Sequence, residues 1–242
     1  MYLTFFVNNL FVSANPFYRA YIHADLLGKL IFLSLLLLSV LCWSLLIYKV
    51  WETQSAEKAS SLFFSTFQSH RTKPLKISYE KGKFLNPFFE LYQVLQKHTV
   101  DLLDKNHHFS KQSFLSAADI NLVESHLMAQ ISHLTKKLEE NLFFLSTIVG
   151  LAPLLGLLGT VWGILTTFSD LNSPGMGGSN QAMLSGLSLA LTTTVLGLLN
   201  AIPALIAYNA LKSRIHRMEV EMEGFSTEIL ACVEMQYRKV EN

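Results

Sequence analysis

The sequence predicts an all-α integral membrane protein with three transmembrane helices and long cytoplasmic helical extensions. Three observations carry this prediction. Residues 141–169 and residues 171–211 contain no charged side chain, and each stretch holds an apolar segment long enough to cross a bilayer. The third observation is composition: 50% of the 242 residues are hydrophobic. This combination is typical of membrane proteins and not of a soluble domain.

A further apolar run, residues 30–48, has about the length that one membrane crossing requires, and we predict the first transmembrane helix there. Lys29 and Lys49 bracket this run. Residues 1–29 are mildly apolar and aromatic and lack the pattern of a cleaved signal peptide. We interpret them as a periplasmic or interfacial N-terminus.

Residues 49–141 have a soluble character and are predicted to form a cytoplasmic loop that is partly helical. Its first half is expected to be irregular, because Pro74, Gly82 and Pro87 interrupt it. In the second half, apolar residues recur at spacings of three and four, which predicts an amphipathic helix capped by Asp119 and running directly into the second span. These apolar residues are Ile120, Val123, Leu127, Ile131, Leu134 and Leu138.

The second and third spans are predicted at residues 142–168 and 184–208, joined by a short periplasmic loop at 169–183. Each contains one proline, Pro153 or Pro203, which removes a backbone hydrogen bond and predicts a kink. In the cytoplasmic tail, 209–242, apolar residues alternate at four and three, so we expect the third helix to continue far beyond the membrane. This seam consists of Leu211, Ile215, Met218, Met222, Phe225, Ile229 and Cys232.

The charge distribution predicts the orientation of the chain. The loop between the second and third spans carries no Lys or Arg, whereas Lys136 and Lys137 precede the second span and Lys212 follows the third. Positive flanks stay in the cytoplasm, so the loop is placed outside. Three spans then put the N-terminus in the periplasm and the C-terminus in the cytoplasm.

Small and polar residues mark the second and third spans as helices that contact other helices. The glycines form a stripe at helical spacing and predict close packing. The hydroxyl and amide groups have two interpretations, bonding to carbonyls of their own helix or lining a polar conduit. The packing candidates are Gly156, Gly159, Gly163, Gly197, Pro153 and Pro203, and the conduit candidates are Thr160, Thr193, Thr194, Ser188 and Asn200.

The sequence argues against several other functions. A net charge of +1 gives no general attraction to nucleic acid, and two distant cysteines suggest neither a disulfide framework nor a metal site. No catalytic motif is present, so we expect no enzyme and no cofactor, and an active site within 49–141 lacks any supporting pattern. No Asp, Glu, Lys, Arg or His lies in the second or third span, so a titrating group for proton transport is expected from another subunit.

Residues 156–164, GLLGTVWGI, resemble the signature of the MotA/TolQ/ExbB family of proton-channel proteins. In the third span, residues 186–191, GLSLAL, resemble the family's Gly-Ile-Ala-Glu-Ala-Leu, and 194–198 and 201–204 match closely. Within the family, residues 39–43 and the tail from 225 to 236 look more like TolQ than ExbB.

The resemblance implies a homo-oligomeric ring of five chains in the bacterial inner membrane. The ring would enclose a TolR- or ExbD-like single-span protein bearing a membrane Asp, and would act on a TolA- or TonB-like protein spanning the periplasm. Protons would drive the work, with Na⁺ not excluded. The two pore threonines of the family fall on Thr160 and Thr194.

One position departs from the family pattern, because Leu189 stands where the family has Glu. Three functions therefore remain open at this point. The first is a Tol-Pal-like channel that turns the proton motive force into work on the envelope. The second is an ExbB-like subunit that energises TonB-dependent import through the outer membrane. The third is a membrane scaffold that conducts no ion, which the apolar Leu189 favours.

Overall fold

The computed structural model contains five α-helices and no β-strand among the residues it describes, apart from one isolated bridge between Leu115 and Arg238. The described residues are 17, 21–22, 24–69, 75, 85–110, 114–171 and 180–238. The helices are α1 (Leu26–Ser69), α2 (Pro87–Ser110), α3 (Ala117–Glu139), α4 (Leu142–Leu171) and α5 (Asn180–Tyr237). The predicted all-α class is confirmed.

Three of these helices are long and apolar enough to cross a membrane, in agreement with the three predicted spans. The qualifying segments are Leu26–Ser69, Leu142–Ser169 and Gly186–Tyr237. Much of the predicted N-terminal lead-in, and residues 172–179 of the predicted periplasmic loop, lie outside the described residues.

The chain divides into two compact units. The membrane unit comprises Met1–Ile47 and Asn141–Asn209, and therefore holds the first part of α1, α4 and most of the apolar part of α5. The aromatic-core unit comprises Tyr48–Glu140 and Ala210–Asn242. The candidate ion pathway belongs to the membrane unit.

Phe225 of α5 lies at the centre of the aromatic-core unit. Its ring stacks on Phe88 of α2 with a centroid separation of 4.6 Å, and it meets Phe63 and Phe67 of α1 edge-on at 6.1 and 5.4 Å. All seven residues of the predicted tail seam are buried. The prediction that α5 continues as a long helix with an apolar seam is therefore confirmed, and the seam packs within its own chain.

The expectation of an irregular segment after the first span is wrong for residues 49–69, because α1 continues to Ser69. One face of this extension is buried at spacings of three and four, which is the pattern of a packed helix. Polar and small side chains obscured the pattern in the sequence. The buried residues are Lys49, Thr53, Ala56, Ser60, Phe63 and Phe67.

Pro87 begins α2 and does not interrupt a helix. Proline suits the first position of a helix because its missing N–H would have no intrahelical partner there. Asn86 precedes it as the cap: its Oδ1 accepts from the Phe89 N–H at 3.2 Å, while its Nδ2 donates to the Ala59 carbonyl on α1 at 3.0 Å.

The N-cap of α3 is Ser116, so the prediction of Asp119 as the cap is wrong by one turn. Asp119 occupies the third helical position of a capping box, in which it accepts from the Ser116 backbone N–H at 2.9 Å. Burial alone would raise the pKa of Asp119, but the hydrogen bonds from Ser116 and Asn106 outweigh it and lower the pKa.

The predicted continuous helix from α3 into the second span is also corrected. α3 ends at Glu139, and Glu140 is already outside the helical conformation with ψ 136°. Asn141 follows with φ 69°, and α4 begins at the next residue. Asparagine adopts left-handed conformations more readily than most residues, so it ends a helix at modest cost. Lys49 Nζ lies 3.3 Å from the Leu138 carbonyl and satisfies one open acceptor at the end of α3. The six apolar positions predicted for α3 are all buried, as expected.

Candidate ion pathway

Glycines allow the backbones of α4 and α5 to touch. A Cβ added at Gly197 would lie 2.6 Å from the Ala152 carbonyl oxygen, and one added at Gly163 would lie 2.8 Å from the Gly186 carbonyl oxygen. Contacts this close are not found for real side chains. Since the partner number on α5 falls as the position on α4 rises, the two helices run antiparallel. We call this contact the α4–α5 crossing.

Thr193 fills the space that Gly159 leaves open in the crossing. A Cβ at Gly159 would lie 2.6 Å from the Thr193 Cβ, and Thr193 has no exposed surface. Its hydroxyl lies 2.9 Å from the Ala190 carbonyl and 3.1 Å from the Leu189 carbonyl, so it is satisfied within its own helix. A side chain enclosed in this way cannot face a conduit between chains. The structure places Thr193 in helix packing, and its role in the ion pathway stays a prediction.

Thr194 makes a contact of a different kind, because its hydroxyl reaches across the crossing. Its Oγ1 donates to the Gly156 carbonyl at 3.1 Å, whereas the Ala190 carbonyl of its own helix is 3.5 Å away. In an α-helix the Gly156 carbonyl also accepts the backbone N–H of Thr160. One carbonyl thus joins the two threonines that the resemblance singled out.

Thr160 and Thr194 are both half-buried residues, and the hydroxyl of each donates to a backbone carbonyl. For Thr160 the acceptor is the Leu157 carbonyl at 2.6 Å. A hydroxyl has one hydrogen and two lone pairs, so a hydroxyl that donates in this way can still accept. The pair can therefore accept hydrogen bonds from water or from a protonated acid on a neighbouring helix.

Asn200 and Ser188 lie on α5 on either side of these threonines. The Asn200 Nδ2 donates to the Leu35 carbonyl of α1 at 3.0 Å, so this amide connects two helices of the membrane unit. Ser188 is half-buried, so part of its surface stays accessible in the single chain. Among the five candidates, Ser188, Thr160 and Thr194 keep exposed surface and show no hydrogen bond to the described part of α1. Asn200 differs from them because its amide donates to α1.

Leu189 points toward the first turn of α1. It is 4% exposed, forms a small apolar cluster with Ala24, and lies 2.7 Å from the position of a Cβ added at Gly28. The position at which the family pattern has an acid is therefore a packing position in this chain.

Asp25 is a polar residue of the membrane unit that the sequence reasoning missed. Its Oδ2 accepts from the Trp162 Nε1 of α4 at 2.7 Å, and its Oδ1 accepts from the Gly28 N–H at 2.9 Å. An Asp directly before an apolar run is a recognisable N-cap pattern. The bond to Trp162 joins residues 137 positions apart and has no local signal.

Pro153 and Pro203 lie inside α4 and α5, and both helices continue past them. Pro153 leaves the Val149 carbonyl without its usual donor, and Pro203 does the same for Leu199. The kinks at these sites stay predictions. Their neighbours in the crossing, Ala152 and Ala204, are fully buried.

The profile of the MotA/TolQ/ExbB proton channel family matches residues 95–224, which is more than half of the chain and includes the whole α4–α5 crossing. The chain belongs to this family. The recognition made from residues 156–164 and the third span is thus confirmed.

Individual relatives extend the similarity. The Tol-Pal system protein TolQ of Haemophilus influenzae is 26% identical over 235 residues, covering 91% of this chain and 94% of that protein. TolQ of Pseudomonas aeruginosa is 29% identical over 226 residues, covering 90% of this chain and 91% of that protein. The biopolymer transport protein ExbB of Aquifex aeolicus is 39% identical over 97 residues, or 40% of this chain and 65% of that protein. Similarity to TolQ is weaker per residue but spans nearly the whole chain.

Membership in this family, together with the three apolar helices, supports a multi-pass protein of the inner membrane. The family is one of channel proteins, and its TolQ and ExbB members support proton-channel-type energy transduction for envelope systems. No group of three His, Cys, Asp or Glu side chains within the described residues is placed to hold a metal ion.

Proposed function

We propose that the chain is a channel and stator subunit of the inner membrane that couples the proton motive force to mechanical work on the cell envelope, as in a Tol-Pal-like system. The near-full-length similarity to two TolQ proteins supports this assignment. Identical chains form a ring of five around a TolR- or ExbD-like single-span partner. A TolA- or TonB-like protein receives the work in the periplasm.

The observation that carries the proposal is the Gly156 carbonyl shared by Thr194 and Thr160. This arrangement holds the Thr194 hydroxyl against the turn of α4 that ends at Thr160. The Thr160 hydroxyl donates to the Leu157 carbonyl on the same turn, and both hydroxyls keep lone pairs that can accept. Such a hydroxyl donates one hydrogen bond to a carbonyl and accepts another from an acid. A proton on that acid is therefore hydrogen-bonded at this point of the path, while the hydroxyl stays uncharged.

The titrating group is expected from a partner, because α4 and α5 hold no Asp, Glu, Lys, Arg or His between Leu142 and Ser169 or between Gly186 and Ala210. Membrane proton paths generally depend on an ionisable relay. An Asp on a single-span partner, placed beside the Thr160–Thr194 pair, supplies that group. This accounts for a channel subunit in which the membrane-crossing segments of the two pathway helices carry no charged side chain.

The orientation follows the charge rule, with the N-terminus in the periplasm and the C-terminus in the cytoplasm. The aromatic-core unit then lies in the cytoplasm, in keeping with its Lys, Arg, Asp and Glu content. The transported ion is H⁺. Hydroxyl and carbonyl oxygens also suit Na⁺, so ion substitution belongs to the test below.

An ExbB-like role is the second candidate, and the higher local identity to ExbB favours it. It shares the pathway and differs in the periplasmic partner. A scaffold that conducts no ion is the third, and it is favoured by the enclosed Thr193 and the apolar packing of Leu189. The identity of the partner distinguishes the ExbB-like role from the proposed one. Ion flux distinguishes the scaffold from both.

Reconstitution in proteoliposomes tests the proposal. The chain is co-expressed with a single-span protein that bears a membrane Asp, TolR or ExbD, and proton uptake is followed with an internal pH dye under an imposed potential. We expect uptake from the complex, none from either protein alone, and none when the partner's Asp is replaced by Asn. Replacing external Na⁺ with K⁺ should leave uptake unchanged.

A complex that forms but conducts no ion above the level of empty vesicles would favour the scaffold. Uptake by the chain alone would contradict the requirement for a partner acid. Co-purification with ExbD in preference to TolR would favour the ExbB-like alternative.

A further inference from the structure

Asp25 is the one carboxylate among the described side chains of the membrane unit, and both of its oxygens are used. The Oδ1 caps α1 by accepting from the Gly28 N–H, and the Oδ2 accepts from the indole N–H of Trp162. The first bond is local, whereas the second connects α1 to α4. A single side chain therefore starts one helix and ties it to another.

The bond to Trp162 is of the strong, charge-assisted kind. At 2.7 Å it lies at the short end of the range for an N–H donor and an ionised acceptor. The indole has one donor and no acceptor, so this bond uses the full hydrogen-bonding capacity of the Trp162 side chain. The carboxylate also lies at the N-terminus of α1, where the helix dipole favours negative charge.

The same turn of α1 is held from a second side by α5. Leu189 packs on Ala24, and the position of a Cβ at Gly28 would lie 2.7 Å from Leu189 Cδ2 and 2.8 Å from Asp25 Oδ1. Asp25 and Leu189 are therefore neighbours around Gly28. An apolar residue at 189 leaves the carboxylate without a like charge beside it.

We propose that Asp25 is a positioning residue, which clamps the first turn of α1 onto α4 through Trp162 and thereby holds α1 in place over Leu189 of the α4–α5 crossing. The role of this clamp in ion-driven work rests on the proposed function. The clamp itself can be measured without ion flux. Trp162 is then a structural donor and not an interfacial anchor directed at lipid.

Two nearly isosteric substitutions separate the clamp from the cap. Asp25→Asn keeps an oxygen for the Gly28 N–H, and Asn is as good an N-cap as Asp. Its NH₂ group then faces the indole N–H, so the bond to Trp162 is lost. Trp162→Phe removes the donor and keeps an aromatic ring. The matched control is Trp43→Phe, because Trp43 on α1 is 53% exposed.

The clamp is measured by cross-linking in native membranes. Cysteines at Ala24 and Leu189, in a full-length chain with Cys42→Ala and Cys232→Ala, are joined by a short thiol cross-linker. Loss of a hydrogen bond to a charged group shifts the held-to-released ratio by about tenfold. Because the rate follows the held fraction, we expect Asp25→Asn and Trp162→Phe each to slow cross-linking by at most that factor. The double variant should be no slower than the single variants, and Trp43→Phe should match the parent.

The consequence for function is measured in the same clamp variants with native Leu189, Ala24 and cysteines. We expect partner-dependent proton uptake to fall in Asp25→Asn and Trp162→Phe to a similar degree, without further loss in the double variant. Additive losses, or cross-linking at the parental rate in either single variant, would overturn the clamp. Slower cross-linking with unchanged uptake would overturn its role in positioning. Absent uptake in the parent would count against the proposed function, while the cross-linking result would still stand.

Discussion

Adjacent residues in the third span have different structural roles. Thr193 is enclosed against Gly159 and bonded within its own helix, while the Thr194 hydroxyl crosses to the Gly156 carbonyl. The sequence cannot distinguish them, because three consecutive threonines cover most of a helix circumference and the choice depends on where α4 lies. The residue pattern predicts that hydroxyls are needed here. The packed helix pair determines which of them remain accessible.

Gly197 offers a test of the crossing at residue scale. We expect Gly197→Ala to separate α4 from α5, because its Cβ would meet the Ala152 carbonyl at 2.6 Å and a backbone atom cannot rotate away. The thermal transition of the purified chain in detergent should fall by several degrees, and partner-dependent activity should fall with it.

Gly150→Ala on α4 is the control for this prediction. A Cβ at Gly150 would meet nothing within 4 Å, and alanine has a higher helix propensity than glycine. We expect an unchanged or slightly higher transition temperature. Equal destabilisation by both substitutions would show that loss of glycine itself, and not close approach of the helices, is responsible.

At the scale of elements, periodicity predicted the helices and failed at their ends. The buried face of α3 and the tail seam of α5 follow from the spacing of large apolar residues. The extension of α1 to Ser69 was missed because its buried face includes Lys49, Thr53 and Ser60. The break at Asn141 was missed because one residue in a left-handed conformation ends a helix without disturbing the apolar pattern on either side.

The hairpin of α2 and α3 should respond to pH through a stacked histidine pair. The rings of His98 and His126 are parallel, with centroids 3.9 Å apart. Burial lowers the pKa of His98 below its ordinary value of about 6.5, and His126 and Lys97 lower it further, while Asp101 acts in the opposite direction. Because the folded chain holds this proton less tightly than the unfolded chain, the stabilisation is full above about pH 6.5 and is lost as the pH falls through the lower folded pKa.

Hydrogen exchange checks this prediction. Protection of α2 and α3 amides, corrected for intrinsic exchange, should fall between pH 7.5 and pH 5.5 in the native chain. The fall should be smaller in His126→Gln, which removes the neighbouring charge. His133→Gln, an exposed position on the same helix, should behave as the native chain does. An equal pH response in all three chains would contradict the role of the pair.

At the scale of the whole molecule, the fold class, the three spans and the family could be predicted from hydropathy and from residues 156–164. The bonds that organise the membrane unit could not. Asp25 to Trp162, Asn200 to Leu35 and Thr194 to Gly156 each join distant parts of the chain. No local spacing encodes such pairs, since they arise only when the helices pack.

Membrane orientation is a prediction at this scale. We expect a cysteine at Ser173 to react with an impermeant maleimide added to the periplasmic face, and a cysteine at Ser213 to react only after the membrane is opened. The charge rule gives this direction because Lys212, Arg214 and Arg217 follow the third span. Labelling of Ser213→Cys in intact spheroplasts would reverse the assigned topology.

The central claim is that the Thr194 hydroxyl, which donates across the α4–α5 crossing to the Gly156 carbonyl, serves the ion path. The most direct measurement is proton uptake by the reconstituted complex carrying Thr194→Val, with Thr193→Val as its neighbour control. Both substitutions keep the side-chain shape, but only the first removes the bond to Gly156. We expect Thr194→Val to lower uptake by about tenfold or more and Thr193→Val to stay within about twofold. Uptake at the native rate in Thr194→Val, or an equal loss in both, would contradict the account.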